Sequence, residues 1–164
     1  MMHQLRYSPL LIACLLLLIS GCKKENFNTA PFRFKLDGQE FYAPAATSSA
    51  KRNGNRITVK GTKLVEFQNN SKLYGEVEID FYINPDSLLN PIELNYGTNI
   101  LRYGNNNFDK TFYSQNATPG VLNFTEFDPS TKKIAGTFSA VVAESNGSNT
   151  KVLSEGQFSF TYSD

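Results

Sequence analysis

The chain has 164 residues and a formal net charge of +1, and Arg6 is the single Lys or Arg of its first 21 residues. Beyond them, 15 Lys and Arg balance 15 Asp and Glu, which excludes nucleic acid as a partner, because that binding needs several unopposed cations to displace condensed counterions. Only two cysteines are present, Cys14 and Cys22. They cannot form a disulfide framework in the folded part, and roughly 130 residues need none, since that need sets in below about 70–80.

The chain opens with His3 and Arg6 and an apolar run, Leu10–Ile19. That run is about half of the ~20 residues a membrane-spanning helix needs, so a short basic start followed by a short apolar core predicts a secretory signal. The run ends at Leu18-Ile19-Ser20-Gly21-Cys22. This segment resembles the lipobox of bacterial lipoproteins. The resemblance implies that residues 1–21 are a signal peptide, and that a diacylglycerol is attached through the Cys22 thiol. The bond before Cys22 would be cut and the new amine acylated, with palmitate-type chains. Several acyl chains, each contributing about 0.8 kcal/mol per buried CH₂, make such an anchor effectively permanent. Lys23 follows the cysteine in place of the aspartate linked to inner-membrane retention. The expected location is therefore the outer membrane of the cell envelope, on its periplasmic face or at the cell surface. Residues 22–31 read as a flexible, polar, Pro-terminated tether, and nine extended residues after Cys22 reach about 30 Å at ~3.3–3.6 Å each. Residues 32–164 are expected to form one domain.

From Phe32 the apolar period becomes two. Phe32, Phe34 and Leu36 share a face opposite Arg33 and Lys35, and Asp37-Gly38 supplies a two-residue hairpin turn. After a second turn signal at Asn53-Gly54, Ile57, Val59 and Gly61 alternate with Arg56, Thr58 and Lys60. The clearest strand is LYGEVEIDFYI, with Leu73, Gly75, Val77, Ile79, Phe81 and Ile83 on one face and Tyr74, Glu76, Glu78, Asp80 and Tyr82 on the other. Face matching across the intervening QNNS requires paired residue numbers to sum to 138 or 140, setting Lys60 opposite Glu78 or Asp80. NPDSLLNP reads as a loop with one helical turn. Shorter strands follow around Ile92–Tyr96, Ile100–Tyr103 and Phe108–Tyr113. In the last third, VLNFTEF, KIAGTFSAVVAES and VLSEGQFSFTYS are separated by DPSTK and NGSN. Ile134, Phe138, Ala140 and Val142 should face the core, with Val152, Phe158, Phe160 and Tyr162. The two final strands carry Gly136-x-Phe138 and Gly156-x-Phe158, and glycines opposite phenylalanines mark crowded places in a curved sheet. About 9–11 short strands without an amphipathic helix predict an all-β antiparallel sandwich or partly open barrel.

The opening F.F..DG..F.A and the closing I.GTFS and EGQFSF.Y motifs resemble a family of uncharacterised Bacteroidota lipoproteins whose domains end in such GTF and G-x-F strands. The resemblance implies a lipid-anchored β domain and carries over no catalytic residue. Asp86-Ser87-Leu88 also resembles the short O-glycosylation motif of exported proteins from that group.

With residues 1–21 removed the chain has no histidine, and Cys22 is acylated. Ser-His-Asp and Cys-His nucleophiles and the usual zinc ligands are then excluded, and no phosphate-cradling glycine motif occurs, so no cofactor is expected. The oxygen ligands of NNNFDK and NPDS lack the spaced acidic set of a calcium loop. Glu76, Glu78 and Asp80 sit about 6.8 Å apart along one strand, within the ~6.5–9.5 Å of inverting glycosidases. They are more simply read as a solvated face paired with Lys60. Tyr74 and Tyr82, beside these acids, are candidates for contact with a sugar ring or peptide. The expected role is thus a non-enzymatic module binding a glycan, small molecule or protein. The alternatives are an assembly subunit pairing through β edges and, last, a carboxylate-based hydrolase.

Overall fold

The computed structural model describes residues 25–68, 71–83, 91–105, 111–145 and 148–164, with backbone alone at 64–68, 71–74 and 105. Cys22, the Asp86-Ser87-Leu88 motif, the NPDS ligands and the helical turn expected in NPDSLLNP lie outside the described residues, as does NNNFDK apart from the backbone of Asn105. Eleven strands follow in order: β1 (Phe32–Leu36), β2 (Gln39–Ala43), β3 (Ser48–Asn53), β4 (Arg56–Gln68), β5 (Ser71–Tyr82) and β6 (Ile92–Leu94). Then come β7 (Ile100–Asn105), β8 (Thr111–Ser114), β9 (Gly120–Asp128), β10 (Lys133–Glu144) and β11 (Thr150–Thr161). A single 3-10 turn, Ala45–Thr47, is the one helical element among the described residues.

All eleven belong to one antiparallel sheet, with the main order β2-β1-β11-β10-β8-β7-β5-β4-β3. The β3 end curls back onto the segment after β11: Lys51 of β3 forms a bridge with Ser163, where the Arg52 N–H donates to the Ser163 carbonyl at 2.7 Å and the Ser163 N–H to the Ala50 carbonyl at 3.1 Å. The sheet therefore curls into a nearly closed barrel, as one sheet and not two stacked ones. Alternation explains why: Phe32, Phe34, Ile57, Val59, Val77, Ile79 and Phe81 are each fully buried, while Arg33, Lys35, Thr58, Lys60, Glu76, Glu78 and Asp80 point outward. Burying each large side chain contributes about 1.5–3 kcal/mol.

The β4–β5 register follows the face match, with Arg56 opposite Tyr82 and Lys60 opposite Glu78, until an irregularity between Leu64 and Glu66 shifts it by one. The first hairpin turns at Asp37 and Gly38, both with positive φ (48° and 82°), as the twist-matched tight turn demands. The second turns one residue later than expected: Asn53 pairs with Arg56, so Gly54 (φ 60°) and Asn55 form the turn. The last strand departs most from expectation. Glu155 takes φ 53°, and between Phe138 and Ala140 the β10–β11 register slips by one. That bulge inverts the alternation above it, so Leu153 is buried and Val152, expected in the core, is 47 % exposed.

The G-x-F pair interlocks. Gly136 lies opposite Phe158 and Phe138 opposite Gly156. A Cβ on Gly156 would sit 2.6 Å from the Phe138 ring, and one on Gly136 would sit 2.8 Å from the Phe158 ring and 2.7 Å from the Asn123 carbonyl. Gly61 accommodates Phe32 in the same way, at 2.5 Å. Each ring thus lies flat over bare backbone, and the phenylalanines meet one another inside: Phe32 and Phe138 at 5.6 Å, Phe34 and Phe41 at 4.5 Å between centroids.

Part of the expected tether is seated on the barrel. The Ala45 N–H donates to Glu25 Oε2 at 2.8 Å, Ala30 is buried, and the Ser159 N–H donates to the Pro31 carbonyl at 2.9 Å.

At β10 the sheet divides. Residues Val142–Glu144 pair with β8, while Lys133–Ser139 pair with β9, and β9 pairs in turn with β6. β6 and β7 therefore behave as one rising strand interrupted at residues 95–99, and β8 and β9 as one falling strand interrupted at 115–119. Both interruptions leave the barrel wall on the same side.

Gly136→Ala and Gly156→Ala should each lower the unfolding free energy by about 1–3 kcal/mol, measured by urea denaturation. The turns add a pH term. Lys151 and the Val152 N–H hold the Asp37 carboxyl below its ordinary value, and Ser130 and Thr131 hold Asp128 well below the usual carboxylate range. Both groups have folded-state values below their unfolded value of about 3.9. Their contribution is therefore present above that pH and is lost as the pH falls through the folded-state values. Asp37→Asn with Asp128→Asn should flatten the acid limb of urea midpoint against pH below about pH 4.

Candidate functional site

Two groups of polar side chains stand on the outer wall, and they differ in whether their charges are matched. The first is the outward face of β5. Asp80 receives Arg56 from β4 at 2.5 and 2.8 Å, Glu76 receives Lys60 at 2.8 Å, and Glu78 receives Arg102 from β7 at 2.6 Å. Lys60 lies directly opposite Glu78 in the register yet reaches diagonally to Glu76, because Arg102 stands opposite Glu78 from the other side. The acid side chains are only 13–23 % exposed, beneath cations that are 38–43 % exposed. Bonds to Asp80 and Glu78 hold the Arg56 and Arg102 guanidinium protons above their ordinary values.

Tyr82 belongs to this group. It is 48 % exposed, but the Arg56 guanidinium sits 5.0 Å from its ring centroid and donates to its hydroxyl at 3.2 Å. The candidates Glu76, Glu78, Asp80 and Tyr82 are thus brought together as an ion-pair ladder in which every carboxylate has its own cation. The side chain of Tyr74 and the anchor residue Cys22 lie outside the described residues. Among the described residues no group of three or more His, Cys, Asp or Glu is placed to hold a metal ion.

The second group was not singled out by its spacing. The two strand interruptions and the β10–β11 turn enclose a cleft of about 470 Å³ lined by Tyr96, Tyr113, Gln115, Asn116, Ala117, Glu144 and Ser145. Local chemistry fixes each wall. Gly97 takes φ 125°, a conformation that disfavours any other residue. Asn99 then pins the first loop: its side chain accepts from the Tyr82 N–H at 2.9 Å and donates to the Glu93 carbonyl at 3.2 Å. The Asn95 N–H closes that loop on the Asn99 carbonyl at 2.7 Å. Where the β7–β8 ladder gives out, the buried Ser114 hydroxyl accepts the Leu101 N–H at 3.1 Å. Gln115 folds back to donate to the Tyr113 carbonyl at 2.8 Å.

Two tyrosine rings form the cleft's aromatic side, Tyr96 and Tyr113 meeting edge-to-face at 5.6 Å and 90°, with Tyr96 60 % exposed. Opposite is Glu144. Its Oε2 accepts from the Asn149 side chain at 2.9 Å, but its Oε1 is buried with no hydrogen-bond partner among the described residues. A buried polar atom left unsatisfied costs about 1–3 kcal/mol, and more for a charged group. Among the described residues no Lys or Arg lines the cleft. In register, Arg102 opposite Tyr113 is engaged by Glu78, and Lys151 opposite Val142 is engaged by Asp37.

The sequence signals for this cleft were faint: NYGTN and YSQNAT each put one tyrosine beside polar turn residues. Only the division of β10 between two partners brings those segments and Glu144 together.

No family model, curated protein or solved structure matches the chain significantly. The likeness to the lipobox and to the exported β-domain family rests on the sequence motifs alone.

Glu78→Gln and Asp80→Asn should each change the unfolding free energy by no more than about 1 kcal/mol, since partly exposed ion pairs contribute ~0–1 kcal/mol. Chemical denaturation of the two variants checks this.

Proposed function

We propose that this chain is a lipid-anchored outer-membrane module that catalyses nothing itself and holds a small molecule or glycan in the cleft between its interrupted strands. The observation that carries the reading is the cleft. Its volume falls within the ~300–1,000 Å³ of small-ligand sites, and its lining combines aromatic surface with a few convergent polar groups, as such sites do. The hydrolase alternative loses support because Glu76, Glu78 and Asp80 are each neutralised by a cation on an open strand face. General acid catalysis needs a carboxyl kept protonated by desolvation, usually in a cleft. Pairing through the β3 edge loses support because the bridge at Lys51 and Ser163 ties that strand down, while β2 and β6 each have a strand partner on one side only among the described residues.

Position supports the reading as well. Glu25 is held at the Ala45 N–H, at the seam between β2 and β3. A lipidated Cys22 would be three residues away, at most about 11 Å of chain at ~3.3–3.6 Å each. β8 and β10, which bear the cleft, lie half-way round the strand order from that seam. With the seam held against the bilayer, the cleft opens away from it.

Two measurements test the proposal. Cys22→Ala should move the protein from the membrane to the soluble fraction and abolish incorporation of labelled palmitate; retention in the membrane refutes the anchor. An extract of envelope metabolites and glycans added to the ¹⁵N-labelled domain should shift the backbone resonances of Tyr96, Gln115, Asn116 and Ser145. An extract that moves none of them refutes the cleft as a binding site.

A further inference from the structure

We propose that the ligand class of the cleft is a neutral sugar, held with its hydroxyls on Glu144 and the side-chain amides and its ring face on Tyr96; this rests on the reading of the cleft as a binding site. Charge narrows the choice first. Among the described residues Glu144 is the one formally charged residue in the lining, with no cation beside it there. Phosphates, carboxylates and sialylated chains would meet a carboxylate with no countercharge and are excluded.

The hydrogen-bond inventory narrows it further. Glu144 Oε1 lacks a donor among the described residues, so a ligand that can donate suits this carboxylate better than one that only accepts. Asn116 both donates and accepts, and Gln115, whose amide nitrogen is taken by the Tyr113 carbonyl, retains its carbonyl oxygen as an acceptor. Adjacent hydroxyls, each donor and acceptor at once, match such a set. A quaternary ammonium has no hydrogen bond to give Glu144 and no use for the amides. It is also best held by several ring faces, whereas Tyr96 and Tyr113 stand edge-to-face, so that Tyr113 backs Tyr96.

The aromatic surface supplies the remaining selectivity. Tyr96 is the most exposed large hydrophobic residue among those described, at 60 %. Its outward face carries the negative side of the ring quadrupole, which attracts the weakly positive C–H groups on the apolar face of a pyranose. The neighbouring Gly97 (φ 125°) and the Asn99 clamp hold that ring in place without a ligand, so little ordering is required on binding.

The unpaired Glu144 oxygen gives a signature that a merely structural glutamate would not. Glu144→Gln replaces an acceptor oxygen with a donor amide of the same shape, so the affinity for sugar should fall while the domain stays folded. The experiment is an NMR titration of the ¹⁵N-labelled domain with cellobiose, maltose, mannobiose and N,N′-diacetylchitobiose. Choline chloride and glucose 6-phosphate serve as contrasting probes. At least one neutral disaccharide should shift the Gln115, Asn116 and Ser145 amides saturably. Tyr96→Ala should weaken that disaccharide about tenfold, and Glu144→Gln should weaken it while leaving the domain folded. No shift with any disaccharide, or a shift with choline or the phosphate ester alone, overturns the assignment. If the sugars fail while the envelope extract still moves the same amides, the cleft remains a binding site and only the sugar class falls.

Discussion

The architecture depends on phenylalanine rings lying on bare backbone. Gly136 and Gly156 each face the phenylalanine two positions beyond the other, and Gly61 does the same for Phe32. A sheet that must close tightly cannot place two large side chains opposite one another at every inward position, and interiors tolerate neither overlap nor void. Glycine at one partner lets the ring at the other lie across the strand. The reciprocal arrangement on β10 and β11 uses both strands of the longest hairpin of the C-terminal half, and with the Glu155 bulge it bends them around the core. The repeated G-x-F is thus sufficiently explained by packing across one hairpin, without a duplicated unit.

Closure has a consequence for the opposite wall. A strand long enough to follow the whole height of β10 is replaced there by two short ones, β8 above and β9 below, and the same happens with β7 and β6. Each break sends its connecting residues outward, and backbone that leaves a ladder must satisfy its hydrogen bonds elsewhere. Asn99, Ser114 and Gln115 do so here. What they build is a pair of rigid projections with Tyr96 and Tyr113 between them and Glu144 behind. The cleft is a by-product of how the wall is broken.

The two acidic features divide along the same line. On β5 the strands on either side stay in register, so the carboxylates of Glu76, Glu78 and Asp80 find cations at 2.5–2.8 Å. At Glu144 the ladder is ending, and only Oε2 is served. Regular sheet neutralises charge by cross-strand pairing, whereas at this strand end one carboxylate oxygen has no donor among the described residues.

Alternation alone was enough to read the all-β class, the inward faces of β1, β4, β5 and β10 and the hairpin at Asp37-Gly38, and to narrow the β4–β5 register to sums of 138 or 140, of which packing selects 138. The same local logic predicts the lipid attachment at Cys22, whose chemistry lies in the five residues of the lipobox. Local logic failed at Val152, where a non-glycine residue in left-handed conformation turns the strand over, and it could not show that Lys60, opposite Glu78 as expected, reaches diagonally to Glu76 because Arg102 comes in from a third strand. The cleft was beyond it altogether: Tyr96, Tyr113 and Glu144 are tens of residues apart in sequence and meet only because β10 pairs with two strands at different heights. Period and turn chemistry are properties of short segments. Which strand lies beside which, and where a ladder stops, is decided by packing the whole chain around one core.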